Sequence, residues 1–161
     1  MPRRAAAEFR SVLGRVPTGV LVVTTVTPAG QLARTANSFT SVSLDPPLVS
    51  VCFGVRSPFT ARLRAAGEWA VSVLAADQQH LSRRFADPAT AGDLTGVPHE
   101  PGPHTGAALL TTSLAGLECR TVAAHPAGDH VLFIGEVLGM HVHRDARPLL
   151  FHRGGYHQGP P

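Results

Sequence analysis

The side chains best suited to chemistry crowd into two short stretches. The first is Thr35-Ala36-Asn37-Ser38-Phe39-Thr40-Ser41-Val42-Ser43-Leu44, which runs into Asp45-Pro46-Pro47. Hydroxyls and an amide recur through a sequence of strong β character, and each one buried without a partner costs about 1–3 kcal/mol. Solvent or a polar ligand must satisfy them. On one continuous strand Thr35, Asn37 and Ser41 share a face while Ala36, Ser38 and Thr40 share the other, so a ligand held there draws on backbone groups as well. The same composition suits an ordinary Ser/Thr-rich edge strand. The second stretch is Gly128-Asp129-His130, at the head of the run Val131-Leu132-Phe133-Ile134-Gly135-Glu136-Val137. Gly-Asp at a turn is ordinary hairpin chemistry. His130 adds a ring that can hydrogen-bond an amide or a phosphate, with Asp129 placed to orient it.

Other chemistries lack their parts. All 14 basic residues are arginine, which removes Schiff-base catalysis and the lysine-dependent phosphate loop. The arginines are single or in the pairs Arg3-Arg4 and Arg83-Arg84, without the basic, aromatic-interleaved run of a nucleic-acid surface. Nine histidines are many for 161 residues, and His141 and His143 fall on one side of a strand. No cluster supplies four ligands, so they read as strand histidines with no metal expected. Cys52 and Cys119 sit in apolar runs outside any CxxC pair and read as reduced, buried thiols. No apolar segment follows Arg3-Arg4 and none approaches a membrane span; a cytoplasmic, membrane-free protein is the expectation.

One domain accounts for the length, with its core over about 9–156. Ala5 to Leu13 has helical spacing with Phe9, Val12 and Leu13 on one face, ended by Gly14 and Pro17. Gly19 to Val26 and Gln31 to Ser43 read as the two arms of a hairpin about Thr27-Pro28-Ala29-Gly30. Leu48 to Val55 is a buried strand, Ser57-Pro58 opens a helix to about Ala66, and Glu68 to Leu74 is again a strand. Asp77 is expected to cap a helix through Arg84 and Phe85. Residues 87–106, rich in Pro, Gly and Asp, read as a long exposed loop. Leu109 to Ala124, Val131 to Val142 and Pro148 to Tyr156 complete a mainly β, α+β chain with a few short helices, favouring a Greek-key barrel.

Together the Thr-Ala-Asn-Ser strand, the Gly-Asp-His turn with its Ile-Gly-Glu-Val strand, Thr18-Gly19-Val20 and Pro148-Leu149-Leu150-Phe151 resemble the flavin reductase-like family. These are FMN-binding split barrels that serve two-component monooxygenases. The resemblance implies contacts along the flavin ring and ribityl chain at Thr35, Ala36, Asn37 and Ser38, approach to the phosphate by Ser41, Ser43 and Ser57, and further flavin-site positions at Cys52 and Phe53. The phosphate role suits Ser57 physically, since a helix N-terminus favours an anion. Phe85 is a further implied contact, and His130 with Asp129 is linked to the nicotinamide. The implied activity is NAD(P)H:flavin oxidoreduction: NADH or NADPH gives a hydride to FMN or FAD, the flavin carries the chemistry, and reduced flavin leaves for a partner monooxygenase. The implied assembly is a homodimer. Two other readings stay open: a flavoprotein that retains FMN and acts directly on an organic substrate, and a non-catalytic flavin binder.

Overall fold

The computed structural model describes residues 3–87 and 92–160. Helix α1 (Arg3–Leu13) precedes a short strand β1 (Thr18–Gly19) and the hairpin β2 (Leu21–Thr27) and β3 (Gly30–Ala36). Next come β4 (Thr40–Leu44), β5 (Pro47–Gly54), α2 (Pro58–Ala66), β6 (Glu68–Val73) and α3 (Gln79–Ala86). The chain finishes with β7 (His99–Pro101), β8 (Ala108–Leu110), β9 (Ala115–Ala127), β10 (His130–Val142), β11 (Leu149–His152) and β12 (Gly155–Gln158). Among the described residues, no helix is long and apolar enough to cross a membrane.

The main sheet has seven antiparallel strands in the order β3-β2-β6-β9-β10-β5-β4. Alternation along its strands divides the hydrophobic residues between two cores. Leu21 and Val23 of β2 join Val51, Phe53, Trp69, Val71, Phe133 and the α2 residues Phe59 and Leu63 on the concave side. Val20 and Val22 turn the other way, toward Leu74, Leu81, Phe85, Leu110 and Leu149. Gly135 is required by the first core, because a Cβ there would run into the Trp69 ring.

Three expectations change. Gln31 to Ser43 is not one strand: it breaks at Asn37-Ser38-Phe39, and its two halves become β3 and β4 at opposite edges of the sheet. The Ser38 hydroxyl makes the break possible by donating to the Cys52 carbonyl at 3.1 Å and accepting from the Cys52 N–H at 2.9 Å. It stands in for a paired strand residue and holds the segment between the two edge strands against β5, next to the β4 edge, in a split barrel whose seven strands leave β3 and β4 as open margins. Asp77 does not cap α3; it lies in the 3-10 turn Ala76–Gln78 and pairs with Arg144. Gln78 Oε1 closes the start of that 3-10 turn by accepting the Ala75 N–H at 2.9 Å, and α3 itself has no side-chain cap.

The segment 87–106, whose residues 88–91 lie outside the described part, is packed rather than loose. Leu94 and Val97 are buried in the second core, and His99–Pro101 pairs with β8. Its next turn is fastened by Glu118, a carboxylate on β9 with no exposed surface. Glu118 Oε2 accepts from the His104 N–H (2.9 Å), the Thr105 N–H (2.8 Å) and the Thr105 hydroxyl (3.0 Å). Glu118 Oε1 lies 3.0 Å from His141 Nε2. Buried hydrophobes and a buried charge, both invisible in composition, explain why a turn-rich sequence is ordered here.

Candidate functional site

Helix α2 starts where Pro58 fixes its first turn and stops at Gly67, which adopts φ 73° and donates its N–H to Leu63. Phe59, Thr60 and Leu63 are its buried face, and Thr60 ties its start to β5 by donating to the Gly54 carbonyl at 2.7 Å. The N-terminus is thereby held rigidly at the split. Ser57 occupies the N-cap position in an extended conformation, yet its hydroxyl makes no capping bond. It opens instead onto a cleft of about 380 Å³ lined by Leu32, Arg34, Arg56, Pro58, Phe59 and Arg62. Among the described residues none of these arginines makes an ion pair. Three guanidiniums, a free hydroxyl and the positive end of a helix together fit a phosphate monoester.

The strand β3 carries Arg34 into this cleft and Arg34 to Asn37 into a second one, of about 220 Å³, closed by Val20, Ser82, Phe151 and Tyr156. The Thr35 hydroxyl is committed to the Ser82 carbonyl at 2.7 Å, and the Ser82 hydroxyl pairs with that of Tyr156 at 2.8 Å. Asn37 is exposed and its amide makes no hydrogen bond within the described residues. The residues available here are therefore Asn37, the backbone of Thr35–Asn37 and the flanking aromatic rings, a combination suited to a planar heterocycle with polar edges.

The sequence stretches are only partly brought together. Ala36 and Asn37 line the second cleft, and Ser57 the first. Ser38 lies between them with its hydroxyl consumed by Cys52, a half-buried residue whose thiol is pushed upward in pKa by that burial. Phe53 is in the concave core, edge-on to Phe59. Phe85 has no exposed surface and packs in the second core, while Ser82 and Ala86 of the same helix line the cleft. Ser41 and Ser43 belong to the far edge strand and line none of these clefts. Arg34, Arg56, Arg62 and Tyr156 were missed. Arg56 adjoins Ser57 in the sequence and was the legible one; Arg34 and Tyr156 reach the site only through sheet pairing.

Gly128, at φ 65°, turns β9 into β10. His130 opposes Gly54 on β5, and the Asp129 carbonyl accepts the Val55 N–H at 2.9 Å, which sets the turn beside the approach to α2. His130 Nδ1 lies 2.8 Å from Asp129 Oδ1. That hydrogen bond, with the charges of His130 and Arg56, holds the Asp129 carboxyl below its ordinary value. The outer nitrogen of the half-exposed imidazole has no hydrogen-bond partner among the described residues. His141, by contrast, is taken by Glu118, and no group of three or more His, Cys, Asp or Glu among the described residues is disposed to hold a metal ion. Both cysteines are free thiols; burial pushes Cys119 up to about 12.

Known proteins give the geometry a context. The chain is 44% identical over 156 residues to the FMN reductase (NADH) SmoA of Agrobacterium fabrum, across 92% of this chain and 83% of that one. It is 38% identical to HsaB, the reductase subunit of a flavin-dependent monooxygenase of Rhodococcus jostii, across 96% and 76% respectively. The solved NADH:FAD oxidoreductase SgcE6 of Streptomyces globisporus, in complex with NAD and FAD fragments, superposes with a TM-score of 0.91 at 39% identity, over 98% of this chain and 94% of that one. Residues 13–160 match the flavin reductase like domain, and the chain belongs to that family.

Proposed function

We propose that the two clefts flanking β3 are one flavin site, with the phosphate at α2 and the ring system at Thr35–Asn37. The observation that carries this reading is the unpaired set Arg34, Arg56, Ser57 and Arg62 at a fixed helix N-terminus. The activity is that of an NADH-dependent flavin reductase that supplies reduced flavin to a monooxygenase, in keeping with relatives such as SmoA and HsaB. A flavin held there would supply the redox chemistry, as acceptor of the hydride from a reduced nicotinamide. The protein's residues act by placement. Arg34, Arg56 and Ser57 neutralise and fix the phosphate, Asn37 hydrogen-bonds a polar edge of the ring, and His130, steadied by Asp129, holds the nicotinamide by its carboxamide or a phosphate. None of them moves a proton in the transfer. Orientation of two rings in contact supplies several kcal/mol of the barrier.

The working unit is a homodimer. This is supported by the unusual exposure of Phe9, Val12, Leu13 and Val16 at the end of α1 and of Leu44, Met140 and Val142 on the sheet, apolar surface of the kind that oligomers cover. Reduced nicotinamide is available in the cytoplasm, which supports that location. Nicotinamide oxidation, assayed with FMN, FAD and riboflavin and with both dinucleotides, tests the activity; no turnover with any flavin refutes it. Exchange of the product with free flavin separates a diffusing substrate from a retained group. Light scattering that finds a monomer binding FMN at full affinity refutes the dimer.

A further inference from the structure

Of the residues that line the phosphate cleft and the ring cleft, only Arg34 lines both. It stands on the edge strand β3, opposite Val23 of β2, and it is half-buried, whereas Arg56 and Arg62 are exposed. No carboxylate lines either cleft, and among the described residues Arg34 makes no ion pair. A half-buried charge is screened less by salt and solvent than an exposed one, so it acts strongly on whatever lies beside it.

The phosphate does not need this charge. A phosphate monoester carries about 1.5–2 negative charges at neutral pH, and the pyrophosphate of FAD is no more charged. Arg56, Arg62 and the positive end of α2, the last equivalent to about half a charge, match it without Arg34. Asp129 takes little from that set, since its carboxyl answers first to His130 and last to Arg56. The charge of Arg34 is therefore left over beside an oxidised flavin.

The connectivity of the flavin says what stands next to it. The ribityl chain that runs from phosphate to ring joins the ring at N10, next to N1 and the C2 carbonyl. A side chain shared by the phosphate cleft and the ring cleft therefore borders that edge. In the reaction the C4–H bond of the reduced nicotinamide breaks and the N5–H bond of the flavin forms, with both electrons moving as part of the hydride. The nicotinamide is oxidised to a cation, and the flavin is reduced to an anion whose charge is spread over N1 and the C2 oxygen.

We propose that Arg34 stabilises the negative charge that the N1–C2 edge of the flavin gains on reduction, and so raises the reduction potential of the bound flavin and favours hydride transfer. The proposal rests on reading the two clefts as one flavin site and deepens it. Charge near N1 is one of the levers by which a protein tunes a flavin. Arg56 and Arg62 line the phosphate cleft alone, and they bind both redox states alike because the phosphate does not change with the ring.

The test is an anaerobic measurement of the midpoint potential of FMN bound to wild type, Arg34→Met, Arg34→Lys and Arg56→Met, with titrations of oxidised and of reduced FMN. Arg34→Met is expected to weaken reduced FMN about tenfold more than oxidised FMN, which for this two-electron couple is a bound potential about 30 mV lower. Hydride transfer in a stopped-flow experiment slows while the Kd for NADH stays unchanged. Arg34→Lys keeps the charge and recovers most of the potential. Arg56→Met weakens both redox states by one factor and leaves the potential where it was. Equal weakening of both states by Arg34→Met overturns the proposal, and so does an Arg34→Lys potential no higher than that of Arg34→Met. If Arg34→Met does not fold, Arg34→Gln supplies the uncharged comparison. Unaltered FMN binding by Arg56→Met defeats the reading of the α2 cleft, while the potential of the Arg34 variants still decides the charge at the ring.

Discussion

Glu118 and the α2 cleft are both charged regions at the margin of one sheet, and they dispose of their charge in opposite ways. Glu118 is sealed from solvent, and each of its oxygens is matched inside the chain by His104, Thr105 and His141. Space for it is cleared by glycine: a Cβ at Gly139 would lie 2.9 Å from Glu118 Oε1 and 2.7 Å from His104 Cδ2. Burial pushes its carboxyl pKa upward, but the hydrogen bonds from His141, Thr105 and His104 outweigh it and leave the group below its ordinary value. Around Ser57 three arginines gather, and among the described residues none of them has an ion-pair partner and the hydroxyl makes no capping bond. A polar group that serves stability finds its partners within the chain, because a buried orphan is costly; one left short of partners at the mouth of a cleft is open to partners from outside the chain.

The largest expected effect follows from breaking the satisfied region. Glu118→Ala removes the partner of four hydrogen bonds and leaves His141, the Thr105 hydroxyl and the 104–105 amides unpaired, a loss of about 3–5 kcal/mol measured by urea unfolding. A cost under about 1 kcal/mol would show that the region is not the fastening described. The pH dependence has a defined sign. The folded pKa of Glu118 is depressed, so its contribution is complete above the unfolded carboxylate value of about 4.3 and disappears as pH falls through the lower folded value. Acid unfolding of Glu118→Gln, compared with wild type, should lack that component.

Gly139→Ala tests the same region without touching a charge. The added methyl must displace His104 or Glu118, an overpacking cost of about 1–3 kcal/mol. FMN affinity of the folded variant should equal that of wild type, since neither residue lines the site clefts.

In the unsatisfied region the signs reverse. Ser57→Ala or Arg56→Ala should weaken FMN binding by about 1–3 kcal/mol in isothermal titration while moving stability by no more than about 0.5 kcal/mol. The hydroxyl caps nothing that folding depends on. If either substitution destabilises the protein and spares FMN, the contrast between the regions collapses.

Legibility in the sequence followed the same division. Ser57-Pro58 and Gly128-Asp129-His130 are local signals, set by a cap, a proline and a turn, and both stand where the sequence puts them. The hydroxyl strand was legible as polar β sequence but not as two edge strands, because the break depends on Ser38 meeting Cys52, fourteen residues on. Glu118 gave no signal at all. Its partners come from residues 104, 105 and 141, and a single glutamate in a strand reads as solvated until the topology buries it. Arg34 and Tyr156 escaped for the same reason.

The smallest effect expected is at the turn that joins the two kinds of region. His130 has one nitrogen satisfied by Asp129 and one free, on a ring that is 49% exposed. A single hydrogen bond to the nicotinamide nucleotide at such a wet position is worth about 1–2 kcal/mol, so His130→Ala should raise the KM for NADH roughly 5–30-fold and leave that for FMN nearly unchanged. Asp129→Asn keeps a hydrogen-bonding neighbour but removes the charge, and the exposed pair is screened by solvent; its effect on KM should be smaller than that of His130→Ala and should shrink with added salt. An Asp129→Asn effect equal to the loss of the imidazole would mean that the carboxylate itself, and not the histidine it orients, meets the substrate. An NADH KM indifferent to both substitutions would remove the Gly-Asp-His turn from the site and leave the α2 cleft as its only charged boundary on that side of the split.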